Sequence, residues 1–321
     1  MRYLKQIIFE RIGKQGQKYL KSSKVTIIGL GALGTRSSEL LARAGIGNLI
    51  LIDRDIVELS NLQRQTLFTE NDINKPKALI AKEHLEKINS NIKIKAIFKD
   101  INFKNIESNV KGDLILDCTD NLETRFLINE FSIENNIPWI FTSVVGSSGM
   151  LFNFIPKKTP CFKCIFPEPE TTLETCDTEG IINTTASLMS SMQVTEAFKI
   201  LTRQSCLKEL IHYDLWKNKL TKIKVKTLTN CNSCNKKDFK YLNGEIFSEV
   251  VKICDSGLFQ IKGRKLKLEE VARKLEKIDK VEVDDYHLKF KEMLMFPDGR
   301  TFIEAPTEEK AKSVYTKYIG N

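Results

Sequence analysis

The stretch Gly29-Leu-Gly31-Ala-Leu-Gly34 constrains this chain more than any other. It follows the β-branched run Lys24-Val-Thr-Ile-Ile28 and precedes Thr35 to Ala44, where Leu40, Leu41 and Ala44 recur at helical spacing. A buried strand, a glycine turn and a helix open a βαβ unit. The first glycine permits the tight turn, and the second lets the backbone approach a phosphate. The third lets helix and sheet pack closely, and the helix N-terminus favours an anion. Asp53 closes the next strand, Asn48-Leu-Ile-Leu-Ile-Asp53, 19 residues after Gly34, where a carboxylate can bond ribose hydroxyls. Glycines placed only for helix–sheet packing give the same pattern, and the loop alone does not separate NAD from ATP.

The alternation continues. Pro76 to Ile88 reads as a helix, Ile92 to Phe98 and Asp113 to Asp117 as strands, Arg125 to Asn135 as a helix, and Pro138 to Ser143 as a strand. This order predicts an α/β protein with a Rossmann-like, doubly wound sheet of parallel strands. Residues 156–180, with Pro156, Pro160, Pro167 and Pro169, read as a loop excursion held by something other than a core. A small-residue helix over Asn183 to Thr202 and a hairpin over 208–229 follow. The tail reads β-α-β-β-α over Val250–Ile261, Leu268–Ile278, Val281–Phe290, Leu294–Ile303 and Glu308–Tyr318, with a turn signal at Pro297-Asp-Gly299. The expected organisation is a helical arm over 1–22, a nucleotide-binding domain over 23–240 and a small α+β domain over 241–321.

Charge divides the chain at the same place. Of 50 basic and 41 acidic residues, 15 of each lie in 241–321, so the whole +9 belongs to residues 1–240. A charge confined to one segment points to a local acidic ligand rather than to nucleic acid. Charges at Arg2, Lys5 and Glu10 interrupt the start, and no window approaches the ~20 apolar residues of a spanning helix. A cytoplasmic protein with no membrane contact is expected. Of the eight cysteines, Cys161/Cys164 and Cys231/Cys234 form two Cys-x-x-Cys pairs with 66 residues between them. In a reducing compartment such pairs form a tetrahedral, structural zinc site, because four thiolates leave no open position. The other reading is four unrelated thiols. Cys118 reads as core.

The segment after Asp53 favours a triphosphate. A departing pyrophosphate needs fixed cationic donors, and Arg64, Gln65 and Lys77 would supply them if the Pro76-Lys77 helix start returns toward the glycine loop. The alternative is that both cations are solvated surface groups. Asp117-Cys-Thr-Asp120-Asn121 puts two acids at the C-terminal end of a buried strand, where one could hold magnesium or where Asp120 could cap a helix.

Taken together, Gly29-Leu-Gly-Ala-Leu-Gly34, Asp53-Arg-Asp55, Ser60-Asn-Leu-Gln-Arg-Gln65, Lys75-Pro-Lys77, Asp117-Cys-Thr-Asp-Asn121 and both cysteine pairs resemble the ThiF/MoeB/HesA family over residues 3–235. These are prokaryotic relatives of ubiquitin-activating enzymes. The C-terminal extension is similar to that of archaeal members. The resemblance implies an adenylyltransferase that uses magnesium–ATP to activate the C-terminal glycine of a ubiquitin-like sulfur carrier of the ThiS/MoaD kind. The pathway (thiamine, molybdopterin, tRNA thiolation or protein modification) stays open. By this resemblance Asp53 and Asp55 belong to the nucleotide site, with Asp53 on the ribose. Asn61, Arg64 and Lys77 contact phosphates and transition state, and Asp120 binds magnesium. Cys176, in a Thr-Cys-x-x-x-Gly context, is either the acceptor of the activated acyl group or a spectator. The resemblance further implies a homodimer and, with no rhodanese-like segment present, a separate sulfurtransferase. Lys5 stands where the family has an arginine that reaches the partner subunit, a role open to Arg2 or Arg11 instead. Two other readings share the loop: a dehydratase acting on threonylcarbamoyladenosine in tRNA, and a carrier-binding scaffold without catalysis.

Overall fold

In the computed structural model, which describes residues 2–168, 180–253 and 257–320, the chain forms two compact units, one ending at Ile246 and one beginning at Phe247. The first starts with α1 (Leu4–Ile8) and α2 (Gly13–Ser22), then β1 (Lys24–Ile28), α3 (Ala32–Ala44), β2 (Asn48–Asp53), α4 (Lys77–Ile88) and β3 (Lys93–Phe98). It continues through α5 (Ile106–Asn109), β4 (Leu114–Asp117), α6 (Leu122–Asn135), β5 (Trp139–Val145), β6 (Ser148–Phe154) and α7 (Phe162–Ile165). It closes with α8 (Asn183–Leu201) and the hairpin β7 (Leu210–Asp214) and β8 (Lys219–Ile223).

These eight strands form one sheet in the order β3-β2-β1-β4-β5-β6-β7-β8. From β3 to β5 neighbours run parallel, and from β5 to β8 they run antiparallel. The sheet is therefore mixed, where the sequence predicted parallel strands followed by a hairpin over 208–229. The difference begins at β6, which the sequence reading missed because Gly149 and the buried Asn153 break its apolar pattern. Asn153 is tolerated inside because its Nδ2 donates to Glu196 Oε2 (2.7 Å) and to the Leu207 carbonyl (3.0 Å).

Period-2 alternation sends successive residues of one strand into two cores. Leu49 and Leu51 of β2 pack with Leu41 of α3, Leu85 of α4 and Met189 of α8. Ile50 and Ile52 pack on the other face with Phe126 and Phe131 of α6, Trp139 and Phe162. Order reverses between β1 and β4, whose C-terminal ends open the crevice where such sheets take ligands. Gln193 of α8, fully buried, stitches this crevice from behind. Its Nε2 donates to the Asp117 carbonyl (2.9 Å) and its Oε1 accepts from Ser37 Oγ (2.7 Å). The unit runs past the composition boundary at 240 because Tyr241 stacks on Phe126 (5.0 Å) and Leu242 N donates to Glu130 Oε2 (2.8 Å).

The second unit contains β9 (Val250–Ile253), β10 (Leu258–Lys262), α9 (Leu268–Leu275), β11 (Glu282–Val283), β12 (Leu288–Phe290), β13 (Met293–Met295), β14 (Arg300–Glu304) and α10 (Glu308–Tyr318). Its sheet order is β11-β12-β13-β14-β10-β9. Each of the three strands read from the sequence here resolves into two strand segments. The turn read at Pro297-Asp298-Gly299 is where β13 and β14 part and pair antiparallel.

Gly29 and Gly34 set the turn at the crevice. Gly29 has φ of +91°, and a Cβ there would lie 2.5 Å from the Cys118 carbonyl oxygen. A Cβ on Gly34 would lie 1.9 Å from the Gly29 carbonyl oxygen. Both contacts are with backbone, so no side-chain rotation relieves them. Gly34→Ala is expected to destabilise the protein by about 3 kcal/mol or more, read as a lower urea midpoint with an unchanged m-value.

Candidate functional site

The crevice is built from the end of β2 outward. Asp53 is buried, and its Oδ2 accepts from Leu30 N (2.5 Å) while its Oδ1 accepts from Asp55 N (2.7 Å). One carboxylate thus clasps the glycine loop to the strand end. Gly31 caps α3, and a Cβ there would meet only Gln65 Nε2, at 4.0 Å. The side of Gly31 that faces Gln65 is therefore open enough for a ligand to approach the backbone.

Lys77 begins α4, and the helix start returns to the segment that follows β2. Ile56 bridges Pro76, Lys77 N donates to the Asp55 carbonyl (3.0 Å), and Lys77 Nζ lies 3.5 Å from Asp55 Oδ2. Lys77 is 6% exposed. Burial works against its charge, but Asp55, Asp53, Glu58 and Asp120 together hold its pKa above the usual lysine value. Burial and then the Asp55 charge push the Asp53 carboxyl up, opposed by Lys77 and two backbone N–H groups. Arg54, which the sequence reading passed over, lies within 3.3 Å of Asp100 Oδ1 and 3.8 Å of Asp55 Oδ1. Burial opposes the Arg54 charge, and Asp100, Asp55, Asp120 and Asp53 raise its pKa.

The segment after β2 makes a short 3-10 turn over Leu59–Asn61. Asn61 is buried and uses its Oδ1 to accept from Glu58 N (3.2 Å), so in this conformation it caps the turn. Arg64, half-buried, donates from Nη1 to the Ser60 carbonyl (2.8 Å). Gln65 is buried beside Gly31. Gln65 Oε1 and Asp55 Oδ1 are buried acceptors without a hydrogen bond, the unmet capacity expected of a site built for a polar ligand.

The two acids after β4 have different roles. Asp117 is fully buried, pairs with Arg125 Nε (3.1 Å), and accepts from Thr119 N (2.9 Å) and Thr119 Oγ1 (2.6 Å). Arg125 Nη2 also donates to the Thr119 carbonyl. Burial raises the Asp117 pKa against these partners. Asp120 is exposed and acts on Lys77 and Arg54 through its charge. It is not the helix cap: Asn121 is, its Oδ1 accepting from Thr124 N (2.9 Å). Around the crevice Asp53, Asp55, Asp100 and Asp120 outnumber Lys77 and Arg54. The sequence reading also missed Gln193, whose only signal was one amide on the buried side of a small-residue helix.

The four paired cysteines come together. Cys161 Sγ lies 3.7 Å from Cys164 Sγ and 3.6 Å from Cys231 Sγ, and Cys164 Sγ lies 3.6 Å from Cys234 Sγ. All four sulfurs fall within 4.8 Å of one another, and none is in a disulfide. Tetrahedral bonds of about 2.3 Å to one zinc ion would set sulfurs about 3.8 Å apart, so the cluster fits the group. It fastens α7 to the segment after β8. Cys118 is buried against Gln193, as core, whereas Cys176 lies outside the described residues.

A mixed doubly wound sheet with a phosphate-ready glycine loop and a separate four-thiol cluster defines a nucleotide-dependent α/β protein. The chain belongs to the ThiF family, whose model matches residues 3–235. It is similar to a sulfur carrier protein ThiS adenylyltransferase of Bacillus subtilis, 38% identical over 333 residues and covering 99% of each chain. A SAMP-activating enzyme E1 of Haloferax volcanii is 32% identical over 238 residues, covering 73% of this chain and 88% of the relative. Escherichia coli MccB solved with ATP matches with a TM-score of 0.62 and 25% identity, covering 69% of this chain and 68% of that one. The C-terminal extension is thus shared with a bacterial relative along its whole length.

A metal held by four thiolates predicts about one bound ion per chain by elemental analysis under reducing conditions. Cys161→Ser is expected to release it and lower Tm, while Cys206→Ser, outside the cluster, leaves both unchanged.

Proposed function

We propose that this chain adenylates the C-terminal glycine carboxylate of a ThiS/MoaD-like sulfur carrier with ATP. The observation that carries the reading is buried Lys77, held 3.5 Å from Asp55 just past the end of β2, in a chain similar along its full length to a ThiS adenylyltransferase. A carrier carboxylate oxygen attacks the α-phosphorus, the bond to the bridging oxygen breaks, and pyrophosphate leaves. The nucleophile is already an anion, so no general base is required. The protein has to bring two anions together and neutralise the charge that develops. Backbone N–H groups at the start of α3 receive phosphate oxygens, and Asp53 receives the ribose. Lys77, Arg64, Asn61 and Gln65 face the departing pyrophosphate, and Asp55 keeps Lys77 in place.

Asp120 fits a magnesium ligand, because it is exposed beside an acidic surplus. Magnesium bound there would supply charge neutralisation on phosphate oxygens. Zinc is the metal proposed for the four cysteines, where it would be structural. The free thiols of the described cysteines agree with a cytoplasmic protein, and no helix of the described residues is long and apolar enough to cross a membrane. A homodimer is proposed to cover α1, where Leu4, Ile8 and Phe9 are exposed beside Lys5. Arg2 is an unsuitable reaching group, since Nη1 donates to the Ile88 carbonyl of its own chain (2.8 Å). Sulfur would come from a separate sulfurtransferase. Cys176 is the proposed acceptor of the activated acyl group: its sulfur attacks the acyl carbon, AMP leaves, and the thiol proton passes to solvent.

Mass spectrometry of carrier mixed with ATP and enzyme should show carrier-AMP with wild type and at least ~100-fold slower formation with Asp120→Ala and with Lys77→Met. Wild-type rates in Asp120→Ala would remove its assigned role. Cys176→Ala should still form carrier-AMP but lose a hydroxylamine-labile enzyme–carrier adduct; persistence of that adduct would remove the acceptor.

A further inference from the structure

Asn61, Arg64 and Gln65 all sit on one excursion of the chain, whose two ends are bonded to each other. Val57 N donates to the Lys75 carbonyl (2.9 Å), Asn74 N donates to the Val57 carbonyl (2.9 Å), and Ile56 bridges Pro76. Residues 58–73 between these ends form no strand and no α-helix, only two 3-10 turns. Such a loop is shaped by its own side chains. Leu67 and Phe68 anchor its middle in the core that also holds Ala78, Ile80 and Ala81 of α4. Apolar burial has no direction, so that anchor does not set how the loop is turned. Hydrogen bonds do.

One of these bonds comes from α4 itself. His84 stands about two turns beyond Lys77 on the same face of the helix. Its Nε2 donates to Asp72 Oδ2 (2.9 Å). The same oxygen accepts from Thr69 N (2.8 Å) and Thr69 Oγ1 (2.9 Å), which closes the turn over Glu70–Asp72. Asp72 is buried, whereas the His84 side chain is 27% exposed. Burial works against the Asp72 charge, but the Thr69 bonds and His84 hold its pKa below the usual carboxylate value. Beside Thr69, Phe68 N donates to the Gln65 carbonyl (3.2 Å), and Gln65 N donates to the Asn61 carbonyl (2.9 Å). The chain of bonds that starts at His84 thus ends at Gln65, whose amide lies across from Gly31 and whose Oε1 has no hydrogen bond.

We propose that His84 is a positioning residue for adenylation: its bond to Asp72 sets the turn of the 58–73 loop and holds the Gln65 amide against the open side of Gly31. This rests on the carrier-adenylating reading. His84 touches no reacting group and moves no proton. One helix then places two parts of the site, Lys77 at its first residue and Gln65 through His84. Gln65 faces the departing pyrophosphate, so its misplacement is felt in the transition state more than in the bound nucleotide. A bond that served stability alone would change the melting temperature and leave the rate of the folded enzyme as it was.

The test is carrier-dependent pyrophosphate exchange with a ThiS carrier, comparing wild type, His84→Ala, His84→Gln, Gln65→Ala and the double variant His84→Ala/Gln65→Ala. Alanine is well accepted on a helix, and kcat should fall ~10-fold in His84→Ala with the KM for ATP within ~2-fold of wild type. His84→Gln, whose amide can present an N–H where Nε2 stood, should restore kcat to within ~2-fold. The double variant should be no slower than Gln65→Ala alone, because residues acting as one unit do not add. An unchanged kcat in His84→Ala beside normal wild-type exchange would overturn the positioning role. So would a raised KM for ATP at unchanged kcat, or a full ~10-fold further loss in the double variant. A wild type without carrier-dependent exchange would instead overturn the reading beneath it.

Discussion

The nucleotide end of this molecule hangs on one buried carboxylate. Asp53 accepts from Leu30 N and Asp55 N at once, joining the end of β2 to the glycine loop and to the segment that leads to Lys77. The clasp adds to the backbone bonds from Gly29 N to the Ile52 carbonyl and from Cys118 N to the Ile28 carbonyl, both 2.9 Å, which tie the start of the loop and the strand ends together. Lys77 and the two N–H groups offset part of the cost of burying the charge, and the Asp53 pKa stays raised.

A second level of support lies behind the first. The buried Asp117–Arg125 pair and Gln193 fix the turn after β4 through backbone and side-chain bonds, leaving the Asp120 carboxylate exposed at the crevice. Rigid backing with an exposed functional group is the arrangement expected when a site must hold charge without reorganising during reaction. The four-cysteine cluster has a comparable purpose at a distance. It fastens the segment after β8 to α7, where Phe162 enters the aromatic core against Phe126, Trp139 and Phe154. The antiparallel half of the sheet is thereby anchored on the face that carries this aromatic core.

Much of this was legible in the sequence wherever the signal is local. The strand–glycine–helix order, Asp53 at a strand end, and cysteines three apart are each set by a few neighbouring residues. The return of Lys77 toward the loop was stated as a condition; the Ile56–Pro76 bridge brings the helix start back to the segment after β2, where Asp53 bonds both Asp55 N and Leu30 N. Other features were not legible, because they are made by residues far apart. The Arg125–Asp117 pair depends on how β4 feeds α6, and Arg54 with Asp100 depends on β2 lying beside β3. Strand β6 escaped detection because its buried Asn153 is satisfied only by Glu196 and Leu207, more than forty residues on. In the second unit the strand segments are only two to five residues long, too short for a period-2 pattern to mark each one by itself.

The central claim is that a carrier carboxylate is activated at the crevice held by Asp53 and Lys77. Exchange of radiolabelled pyrophosphate into ATP measures it most directly, since the back-reaction requires a carrier-bound adenylate. Exchange is predicted with an intact ThiS carrier and absent with the same carrier lacking its C-terminal glycine. Equal exchange with both carriers, or none with either, would contradict the account.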